Sequence, residues 1–255
     1  MSAWKIVKTG KIPKLNKPIL IEGLPGIGNV GKVAADFLIE ETGARKILEL
    51  SSYSMPHSVF VNEDNLIELP TISVYYKKAK RDILFVAGDA QPIDEISTYD
   101  FSETVLNMLK SFNGREVVTL GGIGLPAIPK KPKVYCTGTS KKLVNNYVAG
   151  TTVDPKLYGV VGPIIGVSGL LLGLAKRKNM DGVSLLAETY GHPMYLGIRA
   201  AREIVKILNQ KFDFGINIKE LDNEIKRLEA ESVTPNLPQL PKNMLPKSPE
   251  ANYIG

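Results

Sequence analysis

The stretch that most constrains the fold is residues 18–41, Pro-Ile-Leu-Ile-Glu-Gly-Leu-Pro-Gly-Ile-Gly-Asn-Val-Gly-Lys-Val-Ala-Ala-Asp-Phe-Leu-Ile-Glu-Glu. It reads as a buried strand over 18–24, a glycine turn, and a helix over 29–41 that Gly43 ends. Strand and helix signals then keep alternating. Strands are expected at 45–50, 82–87, 116–120, 134–137 and 182–188, with helices at 98–112 and 140–148. Residues 58–63 and 66–76 read as a hairpin across Glu63-Asp64-Asn65. This alternation is the pattern of a parallel or mixed sheet covered by helices on both faces.

One segment imitates a membrane span. No charge occurs between Lys156 and Lys176, but Pro163 and five glycines interrupt the run. A spanning helix needs about 20 predominantly apolar residues. The segment is therefore read as a buried strand (157–161), a turn at Gly162-Pro163 and a partly buried helix. Pro193 is expected to open a further helix that runs to about Lys211, because proline suits a first helical turn.

The pattern divides the chain into a core domain over 1–214, a C-terminal helical unit over 215–232 and a proline-rich tail over 233–255. In the helical unit Ile218, Leu221, Ile225 and Leu228 are spaced three, four, three, an a/d seam of two heptads. Two heptads are too short for a stable isolated coiled coil. The seam must pack on the body or serve oligomerisation. The tail carries Pro235, Pro238, Pro241, Pro246 and Pro249. Extended at ~3.1 Å per residue, it would reach about 70 Å. Its tip, Tyr253-Ile254-Gly255, is either a partner-binding element, with the carboxylate held by lysine or backbone N–H groups, or a chain end with a chance tyrosine.

Composition narrows the chemistry. Hydrophobic residues make up 44% of 255, which excludes general disorder. One cysteine, Cys136, rules out an internal disulfide and suits a reducing compartment, so a cytoplasmic location is expected. With only His57 and His192 beside it, a His/Cys zinc site is not expected. No apolar run follows the N-terminal Met-Ser-Ala-Trp-Lys, so no signal peptide is read. The net charge of +6 includes lysine-dominated clusters at 77–81, 130–133 and 176–178 without interleaved aromatics. These read as solvated surface rather than a nucleic-acid face, with an acidic protein partner left open.

Gly26, Gly28 and Gly31 fit G-x-G-x-x-G, and Glu49 at the end of the next strand stands about where a ribose-binding acid would. Against a nucleotide site, Pro25 stiffens the turn, and Glu22 and Asp36 add negative charge. Lys32 is followed by Val33, where a phosphate loop needs a hydroxyl for Mg²⁺. The loop of a nucleotide- or nucleoside-binding enzyme, over 23–31, and a purely structural turn both remain readings of this motif. Acid–base candidates are His57, Asp89, Asp94 and Glu188, and no Gly-x-Ser-x-Gly elbow is present. Gly166-Val167-Ser168-Gly169 is a partial echo of one. Cys136, on a strand with no histidine near it in sequence, reads as a buried inert thiol. No catalytic residue and no metal ligand is assigned.

Four stretches taken together, in order and spacing over roughly 15–212, resemble the proteasome assembly chaperone family of the second type, in its archaeal branch. They are 22–31, 120–124, 162–175 and 182–193. The resemblance implies a three-layer α/β/α sandwich with a mostly parallel sheet, akin to nucleoside phosphorylases. It also implies a homo-oligomer without established catalysis, with proteasome α subunits as partner; no cofactor, and from charge and hydropathy no nucleic-acid or membrane partner, is expected. In some members the tail ends in a hydrophobic residue, tyrosine and any residue, and enters pockets between α subunits. Here Tyr253 is third from the end and Asn252 precedes it.

Overall fold

The computed structural model describes residues 3–160 and 162–219, together with 222 and 225. In chain order the elements are β1 (Lys5–Lys8), β2 (Ile19–Gly23), α1 (Val30–Thr42), β3 (Arg45–Ser51), β4 (Phe60–Val61), β5 (Ile67–Glu68), β6 (Ile72–Lys78), β7 (Asp82–Gly88), α2 (Glu95–Ser111), β8 (Glu116–Leu125), β9 (Val134–Gly138), α3 (Lys141–Val148), α4 (Val167–Arg177), β10 (Asp181–Tyr190) and α5 (Ile198–Phe212).

Eight strands form one sheet in the order β1-β3-β6-β7-β2-β8-β10-β9. The four central strands β7, β2, β8 and β10 pair in parallel. Antiparallel pairing of β7 with β6 and of β6 with β3 returns β3 to the same direction. β1, β6 and β9 run the other way.

Alternation within the central strands builds two cores. Ile19 and Ile21 of β2 face α1, α3 and α5, together with Phe85, Val118 and Leu185. Leu20, between them, faces α2 and α4 with Leu84, Val86 and Val117. The result is a three-layer α/β/α sandwich. Its central strands are buried on both faces, which is why they read as unbroken apolar runs.

The strands at 18–24, 45–50, 82–87, 134–137 and 182–188 are found within two or three residues of their expected ends. Gly43, at φ 61°, caps α1 as expected. Several expectations are corrected. The hairpin expected over 58–63 and 66–76 is only a two-residue pair, β4 with β5. Buried Pro70 separates it from β6, which joins the main sheet. The strand expected to end at Leu120 continues through Gly121, Gly122 and Gly124 to Leu125, paired with β10 throughout. α2 begins at Glu95 rather than 98, because the Asp94 carboxylate accepts the Ser97 N–H at 2.8 Å.

Residues 157–160 form a turn instead of a strand: the Val160 N–H donates to the Leu157 carbonyl at 2.9 Å. Val161 lies outside the described residues. Pro193 opens a turn, closed by the Tyr195 N–H on the His192 carbonyl, and α5 starts only at Ile198. The sequence reading had no place for β1. Trp4 anchors that strand, buried against Phe101 at a ring separation of 4.6 Å.

Of the C-terminal seam, Ile218 packs against the α5-side core and Ile225 is buried in it. Arg202 of α5 holds Asp222 through two hydrogen bonds, 2.6 and 2.9 Å long. Leu221 and Leu228 lie outside the described residues, as does the tail with Tyr253, Ile254 and Gly255. No helix among the described residues is long and apolar enough to cross a membrane.

Candidate functional site

The four sequence motifs converge on one place, the C-terminal ends of the central parallel strands. β2 leaves the sheet at Gly23 and passes through a single helical turn, Ile27–Asn29, into α1. Gly28 sits at φ 61°, a region that costs an ordinary side chain strain. A Cβ there would stand 2.8 Å from the Thr189 hydroxyl oxygen. A Cβ on Gly31 would meet the Leu120 carbonyl oxygen at 2.4 Å, and one on Gly122 would meet the Ile27 carbonyl oxygen at 2.3 Å. The Gly197 N–H, just ahead of α5, donates to the Gly28 carbonyl at 2.8 Å. The turn is thus wedged between β8, β10 and the start of α5. Gly28 and Gly31 are explained by contacts within the chain, while Gly26 is exposed. Thr189 Oγ1, which faces this turn, is buried with no hydrogen-bond partner among the described residues.

Beneath the turn lies a group whose role the sequence did not reveal. Glu22 of β2 is fully buried. Its carboxyl accepts the Leu24 N–H and the Ser168 hydroxyl, each at 3.0 Å. Burial pushes its pKa up to about 7, against the opposing pull of these two donors. Gln91 ties the same elements together from above. Its amide nitrogen donates to the Pro25 carbonyl, and its oxygen accepts the Val167 N–H at 3.1 Å. The partial serine elbow at 166–169 is therefore the start of α4, with Ser168 turned inward onto Glu22. A charge inside the apolar run Ile-Leu-Ile-Glu-Gly was the one available signal of this contact.

The remaining candidates are dispersed. Glu49 pairs with Lys46 at 2.6 Å, on a strand separated from β2 by β6 and β7. At roughly 4.8 Å per strand this places it about 14 Å to the side, too far for a ribose whose phosphates sit on the turn. The sheet order thus removes the dinucleotide-type acid. Asp89 accepts the Thr71 N–H and hydroxyl, and Asp94 caps α2. Glu188 accepts the Tyr135 hydroxyl and the Lys133 N–H. His57 is exposed, and His192 accepts the Met194 N–H and stacks on Tyr190. Cys136 is buried, which pushes its thiol up to about 12. No group of three or more His, Cys, Asp or Glu suited to a metal occurs among the described residues. At the opposite end of the sheet a cleft of about 710 Å³ is lined by Lys17, Arg81, Lys110, Arg115, Glu116 and Asp181, among others, and holds none of the candidate acids or bases.

Fold and site together define a three-layer α/β/α protein whose glycine turn is locked by its own chain. Comparison with known proteins gives the family. A family model described as the PAC2 family matches residues 20–233, and the chain belongs to that family. An uncharacterized protein of Methanocaldococcus jannaschii, MJ1210, is 32% identical over 222 residues, covering 87% of this chain and 84% of that one. Among solved structures, Pyrococcus furiosus PbaB, an archaeal proteasome activator, is similar with a TM-score of 0.80 and 32% identity, covering 91% of this chain and 98% of that one. P. furiosus PbaA, an archaeal homolog of proteasome-assembly chaperone, is similar with a TM-score of 0.73 and 26% identity, covering 89% of each chain.

Proposed function

We propose that this protein is a homo-oligomeric, non-catalytic proteasome assembly chaperone or adaptor. It binds the α-ring of the proteasome core particle, and its C-terminal tail contributes to that contact. The observation that carries this reading is the likeness to PbaB along nearly the whole of both chains at 32% identity. Two features of the site support it. Two of the three glycines that imitate a nucleotide cradle, Gly28 and Gly31, meet Thr189 and Leu120 of the chain itself. The candidate acids Asp89, Asp94 and Glu188 each accept hydrogen bonds from neighbouring groups, which is in keeping with a structural role. A cytoplasmic location goes with this reading. Tail tips presented together from one oligomer would add weak contacts into useful avidity.

The experiment is surface plasmon resonance against immobilised α-ring particles, with the full chain and with a chain shortened to end at Ser232. The full chain is expected to bind. The shortened chain is expected to keep its circular dichroism and melting transition while losing most of its affinity. Equal binding by the two would remove the tail from the mechanism, and absence of binding by the full chain would overturn the reading as a whole.

A further inference from the structure

The exposed apolar side chains gather at one end of the molecule. Ile6 and Val7 on edge strand β1 apart, the large exposed hydrophobics lie on segments that leave the C-terminal ends of β3, β7, β8 and β10, or at the first turns of α2 and beside α4. Tyr53, Ile96, Tyr158 and Met194 are each more than 80% exposed there. A concentration of this kind marks an interaction surface.

Its most prominent part is the β4–β5 hairpin, residues 58–69, whose side chains are exposed apart from partly buried Asn62. Val61, Leu66, Ile67 and Leu69 are 62 to 74% exposed. A two-stranded hairpin without a covered face is marginal in water. This one is nevertheless built with a defined tip. The Asn62 side-chain oxygen accepts the Asp64 and Leu66 N–H groups, and its amide donates to Glu68 at 2.8 Å. The arm therefore carries three exposed carboxylates, Glu63, Asp64 and Glu68.

The complementary charge lies on the other flank of the same end. The loop from β8 to β9 exposes Lys130, Lys131 and Lys133, stiffened by Pro129 and Pro132 and preceded by half-exposed Ile128. None of these six charged side chains enters an ion pair among the described residues. The arm rises beside β6 and the loop beside β9, five strands along. At ~4.8 Å per strand they are about 24 Å apart, so one chain cannot close the two patches on each other. Two different, complementary patches on opposite flanks make a heterologous contact, the type that closes into rings.

We propose that the occupant of this surface is a second copy of the chain. The β4–β5 arm of one copy lies on the 126–133 flank of the next, its apolar strands covered and Glu63, Asp64 and Glu68 set against Lys130, Lys131 and Lys133. The proposal rests on the homo-oligomer reading above and moves the main subunit contact from the C-terminal seam to the arm.

The test uses the full chain and light scattering coupled to size exclusion, with circular dichroism as a check of folding. Reversing the arm (E63K, D64K, E68K) or the loop (K130E, K131E, K133E) changes only exposed charges. Each triple variant is expected to weaken self-association about tenfold or more, by like-charge repulsion. The chain carrying all six substitutions restores the pairing and is expected to regain the wild-type mass. If both triple variants keep the wild-type mass, the arm is not the contact, while the homo-oligomer reading stands. If the six-fold variant stays dissociated, the charges do not face one another and the proposal falls. A wild-type chain that is monomeric throughout overturns the homo-oligomer reading and the proposal with it.

Discussion

Glu22 shows how a single buried group couples folding to pH. The carboxyl has no solvent, its two donors are Leu24 and Ser168, and its pKa rises from 4.5 to about 7. Between these values the native state holds a proton that the unfolded chain has released. Stability is therefore full below about pH 4.5 and falls as the pH rises through 7. Glu22→Gln keeps an acceptor for Leu24 and a group able to bond Ser168, yet cannot ionise. It is expected to flatten the pH dependence and to gain on the order of 3 kcal/mol over the wild type at pH 8. Urea unfolding at pH 5 and pH 8 measures this, and a parallel loss at both pH values would refute it. The charge in an apolar run is visible in the sequence, but its partner is 146 residues away and no local pattern points to it. Cys136 was the easier reading: a thiol on an apolar strand is buried, and burial makes it inert.

The glycine turn is a packing device at the level of the secondary-structure elements. Gly31 sits where α1 crosses β8, and a methyl group there would press on the Leu120 carbonyl, which as backbone cannot rotate away. Gly31→Ala is expected to destabilise the fold by about 1–3 kcal/mol with no ligand present, read from thermal or denaturant unfolding of the pure protein. An unchanged stability would mean that the glycine serves something other than packing. The central strands were legible because burial on both faces leaves unbroken apolar runs. Proline was the less reliable guide. Pro193 suits a first helical turn, but the chain turns there on the His192 carbonyl before α5 begins. Pro70 ended one strand pair and let a second strand enter the main sheet, where a single hairpin had been expected. The glycines of β8 lay beyond the strand expected over 116–120, because they add no side chains to its apolar run. They are a strand because β10 pairs with them and the glycine turn needs the room.

For the molecule as a whole, the proposed function divides the work between body and tail. Ile218 and Ile225 of the C-terminal seam are spent on the chain's own core, and Arg202 holds Asp222 beside them. The apolar, charge-partitioned end of the sheet is the surface that the proposed self-association uses. If the arm assembles the copies and the tails bind the α-ring, the two functions are separable by mutation. The triple variant E63K, D64K, E68K keeps every tail but presents it alone. Its affinity for immobilised α-ring is expected to fall on the order of 100-fold through lost avidity, mainly as faster dissociation in surface plasmon resonance. Binding as tight as wild type from a dissociated chain would show that one tail is enough.

Local physics settles much of this protein from its primary structure: apolar runs make the central strands, and glycine makes the turn after β2. Motif order and spacing gave the family resemblance. The order of the strands in the sheet was not written locally, because it depends on how distant segments pack. That order moved Glu49 away from the turn and brought Ser168 onto Glu22. It also set an acidic arm and a basic loop on opposite flanks of one end. Charge and exposure at residues far apart in the chain become a surface only once the chain has folded.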